Sequence, residues 1–108
     1  MKISYEVRWA ATAENDIMGI ILFIAEDSPG NAMKTLSKIK TRTAKLENSP
    51  MQGRVVPELL SQGISLYREV VFAPWRVIYK IEGNKVFVVS VIDSRRNVED
   101  LLLARLLQ

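Results

Sequence analysis

The feature that most constrains this chain is the stretch from Tyr67 to Asn97, which predicts three consecutive antiparallel strands followed by a pair of arginines. Two apolar runs rich in β-branched residues flank Gly83-Asn84, and such a dipeptide favours a two-residue hairpin. The stretch contains six basic and three acidic residues, which accounts for the whole net charge of +3. We therefore expect a partner to bind at this sheet.

Length and composition exclude several classes of protein. A chain of 108 residues predicts a single domain, residues 1–108, with one core. The absence of cysteine and histidine excludes disulfides, thiolate metal sites and a histidine general base, and we expect no cofactor. No apolar run reaches the roughly 18 residues of a membrane span, and the N-terminus lacks a signal-peptide core. These observations predict a cytoplasmic protein without a membrane partner.

Before the three strands, the chain predicts a strand and two helices. Residues Ile3 to Trp9 alternate between apolar and polar, as in a half-buried strand. Residues 10–27 have a helical period, for which Thr12 is the predicted N-cap, and Gly19 predicts a close approach to a neighbour. Ser28-Pro29 predicts the start of a second helix that ends near residues 48–50.

The second helix is predicted to be amphipathic, and its basic side chains most simply form a solvated face. These are Lys34, Lys38, Lys40, Arg42 and Lys45. Two amphipathic helices separated by so short a break predict an antiparallel helix hairpin, whose apolar stripes pack on the sheet. Residues 51–66 contain two glycines and a proline without a clear period, which predicts a loop with room for a short turn of helix.

A last helix is predicted after Asn97, which is its N-cap, with Glu99 and Asp100 in the first turn where the helix dipole favours acids. The run Leu101 to Leu107 is apolar around nearly the whole helix, so we expect two packing partners, the sheet and a second chain. The predicted fold class is α+β: an N-terminal strand, an antiparallel helix hairpin packed on a four-stranded, mainly antiparallel sheet, and a short C-terminal helix.

The Gly83-Asn84 turn predicts one continuous register in which the numbers of paired residues sum to 167. One face would then form the core: Trp75, Val77, Tyr79, Ile81, Val86, Val88, Ser90 and Ile92. The other face would mix basic and apolar side chains: Arg76, Ile78, Lys80, Glu82, Lys85, Phe87, Val89, Val91 and Asp93. A two- or four-residue loop at Ala73-Pro74 pairs Val71 with Arg76, whereas a three-residue loop reverses the faces, so the sequence leaves the face of Arg68 open.

The chain resembles the RelE/ParE superfamily of bacterial toxins over nearly its whole length. The residues that carry the resemblance are Tyr67-Arg68-Glu69, the strand Pro74 to Tyr79, and the strand that ends Val91-Ile92-Asp93-Ser94-Arg95-Arg96. The resemblance implies the toxin half of a type II toxin–antitoxin pair, with a cognate antitoxin that wraps the toxin with a helix and a strand.

The superfamily has two branches, and the resemblance bears on both. RelE-like toxins cut messenger RNA in the ribosomal A site, and this reading implies catalytic roles for Arg68, Arg76, Arg95 and Arg96. The chain has valine at position 70, where that branch has a second basic residue, and no tyrosine near Glu99 or Asp100. ParE-like toxins poison DNA gyrase without catalysis, and the incomplete set of nuclease residues favours this branch.

The predicted function is therefore that of a toxin which inhibits DNA gyrase and is neutralised by a cognate antitoxin, with which it forms a hetero-oligomer. A ribosome-dependent endoribonuclease and a degenerate family member that only binds its antitoxin are the alternatives. The predicted partner-binding residues lie on the mixed face and on the last helix: Arg76, Ile78, Lys80, Phe87, Val89, Leu102, Leu103 and Leu106.

Overall fold

The computed structural model describes residues 4–107, so Ile3, the predicted first residue of the first strand, lies outside the described residues. Along the described chain the elements are β1 (Glu6–Trp9), α1 (Ala11–Asp27), α2 (Pro29–Ala44), a 3-10 turn (Lys45–Glu47), β2 (Arg54–Val55), α3 (Pro57–Leu60), β3 (Tyr67–Phe72), β4 (Trp75–Glu82), β5 (Lys85–Asp93) and α4 (Val98–Leu106).

The strands form one sheet in the order β1-β5-β4-β3-β2, in which β1 runs parallel to β5 and the other neighbours are antiparallel. The predicted α+β architecture is confirmed, with five strands rather than four. The additional strand is β2, which lies in the segment predicted as a loop and pairs Arg54 with Glu69. A two-residue strand has too few side chains to show alternation in the sequence.

The prediction of one continuous register between β4 and β5 is wrong, because β5 contains a bulge. Tyr79 pairs with Val88, but Ile78 pairs with Ser90, so Val89 is an extra residue. A bulge shifts the alternation of side chains by one residue. Ser90 and Ile92 therefore lie on the opposite face from the one predicted, and Val91 and Asp93 change faces with them.

The sheet separates two cores. On one face, here called the hairpin face, α1 and α2 cover a core that includes Ile39, Leu46, Val77 and Tyr79. On the other, the α4 face, Ile78 and Ile92 pack with Val56 and Leu59 from the β2–α3 segment and with Val98 and Leu102 from α4. Among the described residues, no helix is long and apolar enough to cross a bilayer.

The helix boundaries confirm two of the three predicted caps. The Ser28 hydroxyl accepts a hydrogen bond from the Asn31 N–H at 3.2 Å, and the Asn97 side chain accepts one from the Asp100 N–H at 3.2 Å. The predicted cap at Thr12 is wrong, because α1 already begins at Ala11. The close approach expected at Gly19 is also absent among the described residues, since apart from its own stretch of helix no atom of them lies within 4 Å of the position that a Cβ would occupy.

Candidate functional site

Arg76 lies on the α4 face and is enclosed by carboxylates. Its two terminal nitrogens each donate to a carboxylate oxygen of Glu58 at 2.6 Å, and its Nε donates to Glu69 at 2.6 Å. Glu69 is 1% exposed and receives a further hydrogen bond from the Nε of Arg54 at 2.7 Å. The guanidinium therefore uses all three of its nitrogens inside the fold.

These contacts hold both partners in their charged forms. The hydrogen bond from Arg76 lowers the pKa of Glu58, against the opposing effect of its partial burial. The hydrogen bond to Glu58 in turn raises the pKa of Arg76, and the contacts with Glu69 add to that effect. A bidentate arginine–carboxylate pair with a second carboxylate on Nε is a strong, oriented arrangement, so Arg76 has little freedom to turn towards a bound molecule.

Arg68 lies on the other face of the sheet. The β3–β4 loop has two residues, as one of the alternatives predicted, and it pairs Arg68 with Tyr79, which belongs to the core under the helix hairpin. The guanidinium of Arg68 donates to the carbonyl of Gly53 at 2.8 Å. Arg68 and Arg76 are therefore separated by the thickness of the sheet.

Gly53 lets the β2 segment approach this arginine closely. The hydroxyl of Tyr79 donates to the Pro50 carbonyl at 2.6 Å and accepts from the Gly53 N–H at 3.1 Å. A Cβ on Gly53 would lie 2.5 Å from that hydroxyl and 2.6 Å from the carbonyl oxygen of Glu69. Burial raises the pKa of Tyr79, so its hydroxyl stays protonated and serves as a structural donor.

Arg95 and Arg96 follow the end of β5 and border a cleft of about 540 Å³, here called the β5 cleft. Its walls are one side of α1, the first residue of β4 and the last residues of β5, and they are largely apolar: Gly19, Ile20, Phe23, Ile24, Trp75 and Val91. Arg95 donates to Asp93 at 2.9 Å, and this hydrogen bond lowers the pKa of Asp93. Phe23 is 73% exposed at the rim.

An ion pair that the sequence did not suggest closes the edge of the sheet beside this cleft. Asp16 on α1 accepts two hydrogen bonds from Arg105 on α4, at 2.9 and 2.8 Å, and one from the backbone N–H of Val91 at 2.9 Å. Arg105 also donates to the Ser90 hydroxyl at 2.8 Å. Because β1 pairs with β5 only as far as Val88, this ion pair covers the edge that β1 leaves open.

The predicted partner-binding residues divide into a buried and an accessible group. Arg76, Ile78 and Leu102 are buried between the sheet and the β2–α3 and α4 segments. The other five lie at least partly at the surface: Lys80, Phe87, Val89, Leu103 and Leu106. A smaller cavity of about 210 Å³ lies between α4 and the sheet, next to Val89 and Leu106. The helix α4 thus leaves uncovered the end of the α4 face that lies next to the β4–β5 turn.

A family model describes this chain. The model of the "ParE toxin of type II toxin-antitoxin system, parDE" matches residues 7–98. The chain belongs to the ParE toxin family. The match includes all five strands except the first residue of β1, and it ends at the first residue of α4. The family assignment makes the chain the toxin of a type II toxin–antitoxin system.

Solved structures share the fold of this ParE-family chain. A chain of the chromosomal ParDE TA (toxin–antitoxin) system from P. aeruginosa superposes with a TM-score of 0.70 at 16% identity, over 83% of this chain and 96% of that one. A chain of the toxin–antitoxin complex RelBE2 from Mycobacterium tuberculosis superposes with a TM-score of 0.57 at 17% identity, over 84% and 99%. No curated protein sequence matches significantly.

The four arginines that a RelE-like mechanism would use do not converge in this ParE-family structure. Arg76 is enclosed on the α4 face, Arg68 lies on the hairpin face, and Arg95 and Arg96 border the β5 cleft. Sequence reasoning missed Glu58 and Arg105, which position Arg76 and close the sheet edge. Neither belongs to a sequence pattern, because each meets its partner only across the fold, 18 and 89 residues away.

Proposed function

We propose that this toxin inhibits DNA gyrase by binding it, without a catalytic step of its own, and that a cognate antitoxin neutralises it. The observation that carries the proposal is the enclosure of Arg76 by Glu58 and Glu69. Stabilising the charge of a phosphoryl transition state requires cationic donors that aim at the reacting group. Here the central arginine already donates to two carboxylates of its own fold.

The distribution of the remaining arginines supports the same reading. A nuclease site would need several cations around one phosphate, whereas Arg68 and Arg76 lie on opposite faces of the sheet. Arg95 is paired with Asp93, which lowers the net charge near the β5 cleft. The absence of histidine from the chain leaves no side chain that titrates near neutral pH without a perturbed pKa. A binding mode of action needs none of these groups.

The uncovered end of the α4 face is the surface we assign to the antitoxin. Lys80 lies over the ring of Phe87, with 5.9 Å between the ammonium nitrogen and the ring centroid. Leu106 at the end of α4 and Leu107, which follows it, extend the apolar surface, and Leu107 is 85% exposed. An amphipathic segment with apolar and acidic side chains complements this combination of apolar surface and positive charge.

The gyrase proposal is tested by adding the purified full-length toxin to gyrase and relaxed plasmid. We expect loss of supercoiling at micromolar toxin and recovery when the toxin is first mixed with its antitoxin. A parallel translation reaction with toeprinting measures RNA cleavage at the ribosome. Uninhibited gyrase with cleaved messenger RNA would refute the proposal in favour of the endoribonuclease, and inactivity in both assays would favour a family member that only binds its antitoxin.

The antitoxin surface is tested separately by binding measurements on two matched variants. Leu106→Glu places a charge on the proposed surface, and we expect the antitoxin Kd to rise by about tenfold or more, as for a residue in the centre of an interface. Met33→Glu is the control, because Met33 is also an exposed apolar residue but lies on α2, across the sheet. An equal effect of the two changes would refute this assignment.

A further inference from the structure

The outer surface of α2 carries a row of cations that the proposed function does not use. Lys34, Lys38 and Arg42 on α2, together with Lys45 at the start of the 3-10 turn that continues it, recur at intervals of four, four and three residues, so they project within about 80° of one another around the common axis. All four are exposed. We call these four residues the α2 basic face. Besides Lys34, Lys38 and Arg42, the helix from Pro29 to Ala44 contains Lys40 and no acidic residue, so its charge is not balanced locally.

No carboxylate elsewhere in residues 4–107 neutralises this face. None of its four cations lies within 4.0 Å of an acidic side chain in that range, where the ion pairs involve other arginines and Lys80. Glu47, the acid closest in sequence, instead accepts a hydrogen bond from Ser4 at 3.0 Å. The α2 basic face therefore presents its full positive charge to the solvent.

The fold supports the side chains at the centre of the row. The Nζ of Lys38 and the guanidinium carbon of Arg42 lie 5.9 and 5.3 Å from the ring centroid of Phe72. Phe72 is only 7% exposed, so its ring is part of the core and cannot itself stack on a ligand. Cation–π contacts of this kind hold the two stems against the protein while the charged ends stay accessible.

The spacing of the row suits the backbone of a nucleic-acid duplex. A helix rises about 1.5 Å per residue, so the eleven steps from Lys34 to Lys45 span about 16 Å. One DNA strand advances about 3.4 Å along the axis per phosphate, so the row spans about five phosphates. Ser37 and Thr41 are exposed on the same side of the helix, and hydroxyl groups are frequent donors to phosphate oxygens.

Two features distinguish this surface from other kinds of anion site. Within the described chain it has no exposed aromatic side chain on which an unpaired base would stack, and stacking platforms are what single-stranded nucleic acids use. The exposed residues between its cations are Ser37, Lys40, Thr41 and Ala44, none of which is a large apolar residue, whereas a protein interface has an apolar or aromatic centre. A row of cations and hydroxyls alone suits contacts with phosphates, which do not depend on base sequence.

We propose that the α2 basic face binds the phosphate backbone of duplex DNA without reading its sequence. The choice of DNA over duplex RNA rests on the proposed action at gyrase, since the DNA bound by that enzyme lies next to the toxin. In that complex the contact adds affinity for gyrase engaged on DNA over free gyrase. It also steers the toxin towards DNA, because long-range attraction between opposite charges accelerates association.

The test is fluorescence anisotropy of the full-length toxin with two unrelated 20-base-pair DNA duplexes, between 50 and 200 mM salt. Four phosphate contacts predict a slope of about −3.6 for log K against log salt, and thus an affinity loss of about 150-fold over this range. The double variant Lys38→Gln/Arg42→Gln should reduce the slope to about −1.8 for both duplexes. Both positions are exposed, and an unchanged melting temperature verifies the fold.

The control is the double variant Arg8→Gln/Lys85→Gln, which removes the same net charge. Both residues alternate with core residues of β1 and β5 and lie on the sheet face opposite to α2. We expect this variant to retain the wild-type slope. Absence of DNA binding by the wild type at 50 mM salt, an equal effect of the two double variants, or tighter binding of single-stranded DNA or duplex RNA would each overturn the inference.

The supercoiling assay separates this inference from the proposed function. Inhibition of gyrase by a toxin that does not bind DNA would overturn the inference alone. DNA binding through α2 by a toxin that leaves gyrase active would support the DNA contact and refute the gyrase proposal. If both hold, Lys38→Gln/Arg42→Gln should require several-fold more toxin for half-inhibition, whereas the control variant should match the wild type.

Discussion

Replacing Arg76 by methionine tests whether this arginine is structural, as its contacts indicate. Methionine fills much of the same space without the charge, so Arg76→Met leaves the carboxylate of Glu69 buried with only Arg54 as an ionic partner. Removing one partner of a buried ion pair costs about 3–5 kcal/mol. Since Arg54 remains and Glu58 is partly exposed, we expect the lower end, about 3 kcal/mol.

A loss of this size is large compared with the roughly 5–15 kcal/mol by which domains are stable. In a chain of this length it corresponds to a fall of about 12 °C in Tm. Urea unfolding followed by circular dichroism at neutral pH measures the free energy, and the double variant Arg76→Met/Glu69→Met provides the internal check. Replacing both partners removes the uncompensated charge, so we expect it to regain most of the lost stability.

Arg95→Met is the control, because Arg95 is a surface arginine whose side chain is 76% exposed in its pair with Asp93. We expect no measurable change in unfolding for that variant. If Arg76→Met altered the free energy of unfolding by less than about 1 kcal/mol, the enclosed ion pairs would not be a stability element. These ion pairs would then also not be what withholds Arg76 from catalysis.

Three further predictions concern the surroundings of the site. Gly53→Ala should destabilise the fold by about 2–4 kcal/mol in urea unfolding, because the new methyl group displaces a buried hydroxyl with two hydrogen bonds. A double-mutant cycle of Asp16→Ala and Arg105→Ala should give a coupling energy of about 1–2 kcal/mol, since the two side chains share two hydrogen bonds in a partly buried pair. Acid should reduce the difference in the free energy of unfolding between wild type and Arg76→Met. The hydrogen bond from Arg76 lowers the folded-state pKa of Glu58 below its ordinary value of 4.5. The ion pair of Glu58 with Arg76 therefore stabilises the fold above that value, and this stabilisation is lost as the pH falls through the lower, folded-state pKa.

Each of these predictions has its own contrary result. Gly19→Ala is the matched control for Gly53→Ala, because space is open around Gly19 in the interior of α1, and it should raise stability by about 0.5–1 kcal/mol. Equal effects of the two glycine changes would contradict the steric argument. Additive effects of the changes at Asp16 and Arg105 would show that these side chains do not interact. A stability difference between wild type and Arg76→Met that stays constant down to about pH 3 would show that Glu58 does not stabilise the fold through Arg76.

Much of the fold was predictable from local patterns, and the errors have local causes. Ser28 and Asn97 were recognised as caps because a cap is a contact between residues three apart, which the sequence displays directly. The predicted assignment of the β5 side chains beyond Val88 to the two faces was wrong, because nothing in a run of valines indicates where a bulge occurs. The strand β2 was missed because its two residues acquire strand structure only through pairing with β3.

The candidate site was less predictable, because its important contacts join distant parts of the chain. The resemblance to RelE-like toxins grouped four arginines as one site: Arg68, Arg76, Arg95 and Arg96. In the folded chain they do not lie together. The register of β3 and β4 places Arg68 and Arg76 on opposite faces. Glu58 on α3 accepts hydrogen bonds from Arg76, but it lies in a stretch without a hydrophobic period. The sequence therefore does not predict towards which face its side chain points.

By itself, the sequence determined the class of protein, the order of the elements and the resemblance to the RelE/ParE toxins, because these follow from the hydrophobic period, the caps and short motifs along the chain. The tertiary structure decided which cations remain accessible. Packing pairs Arg76 and Arg105 with carboxylates from other elements, whereas the α2 basic face keeps its charge exposed. Burial and pairing are properties of residues brought together by folding, so they determine which cations of this toxin are free to bind a partner.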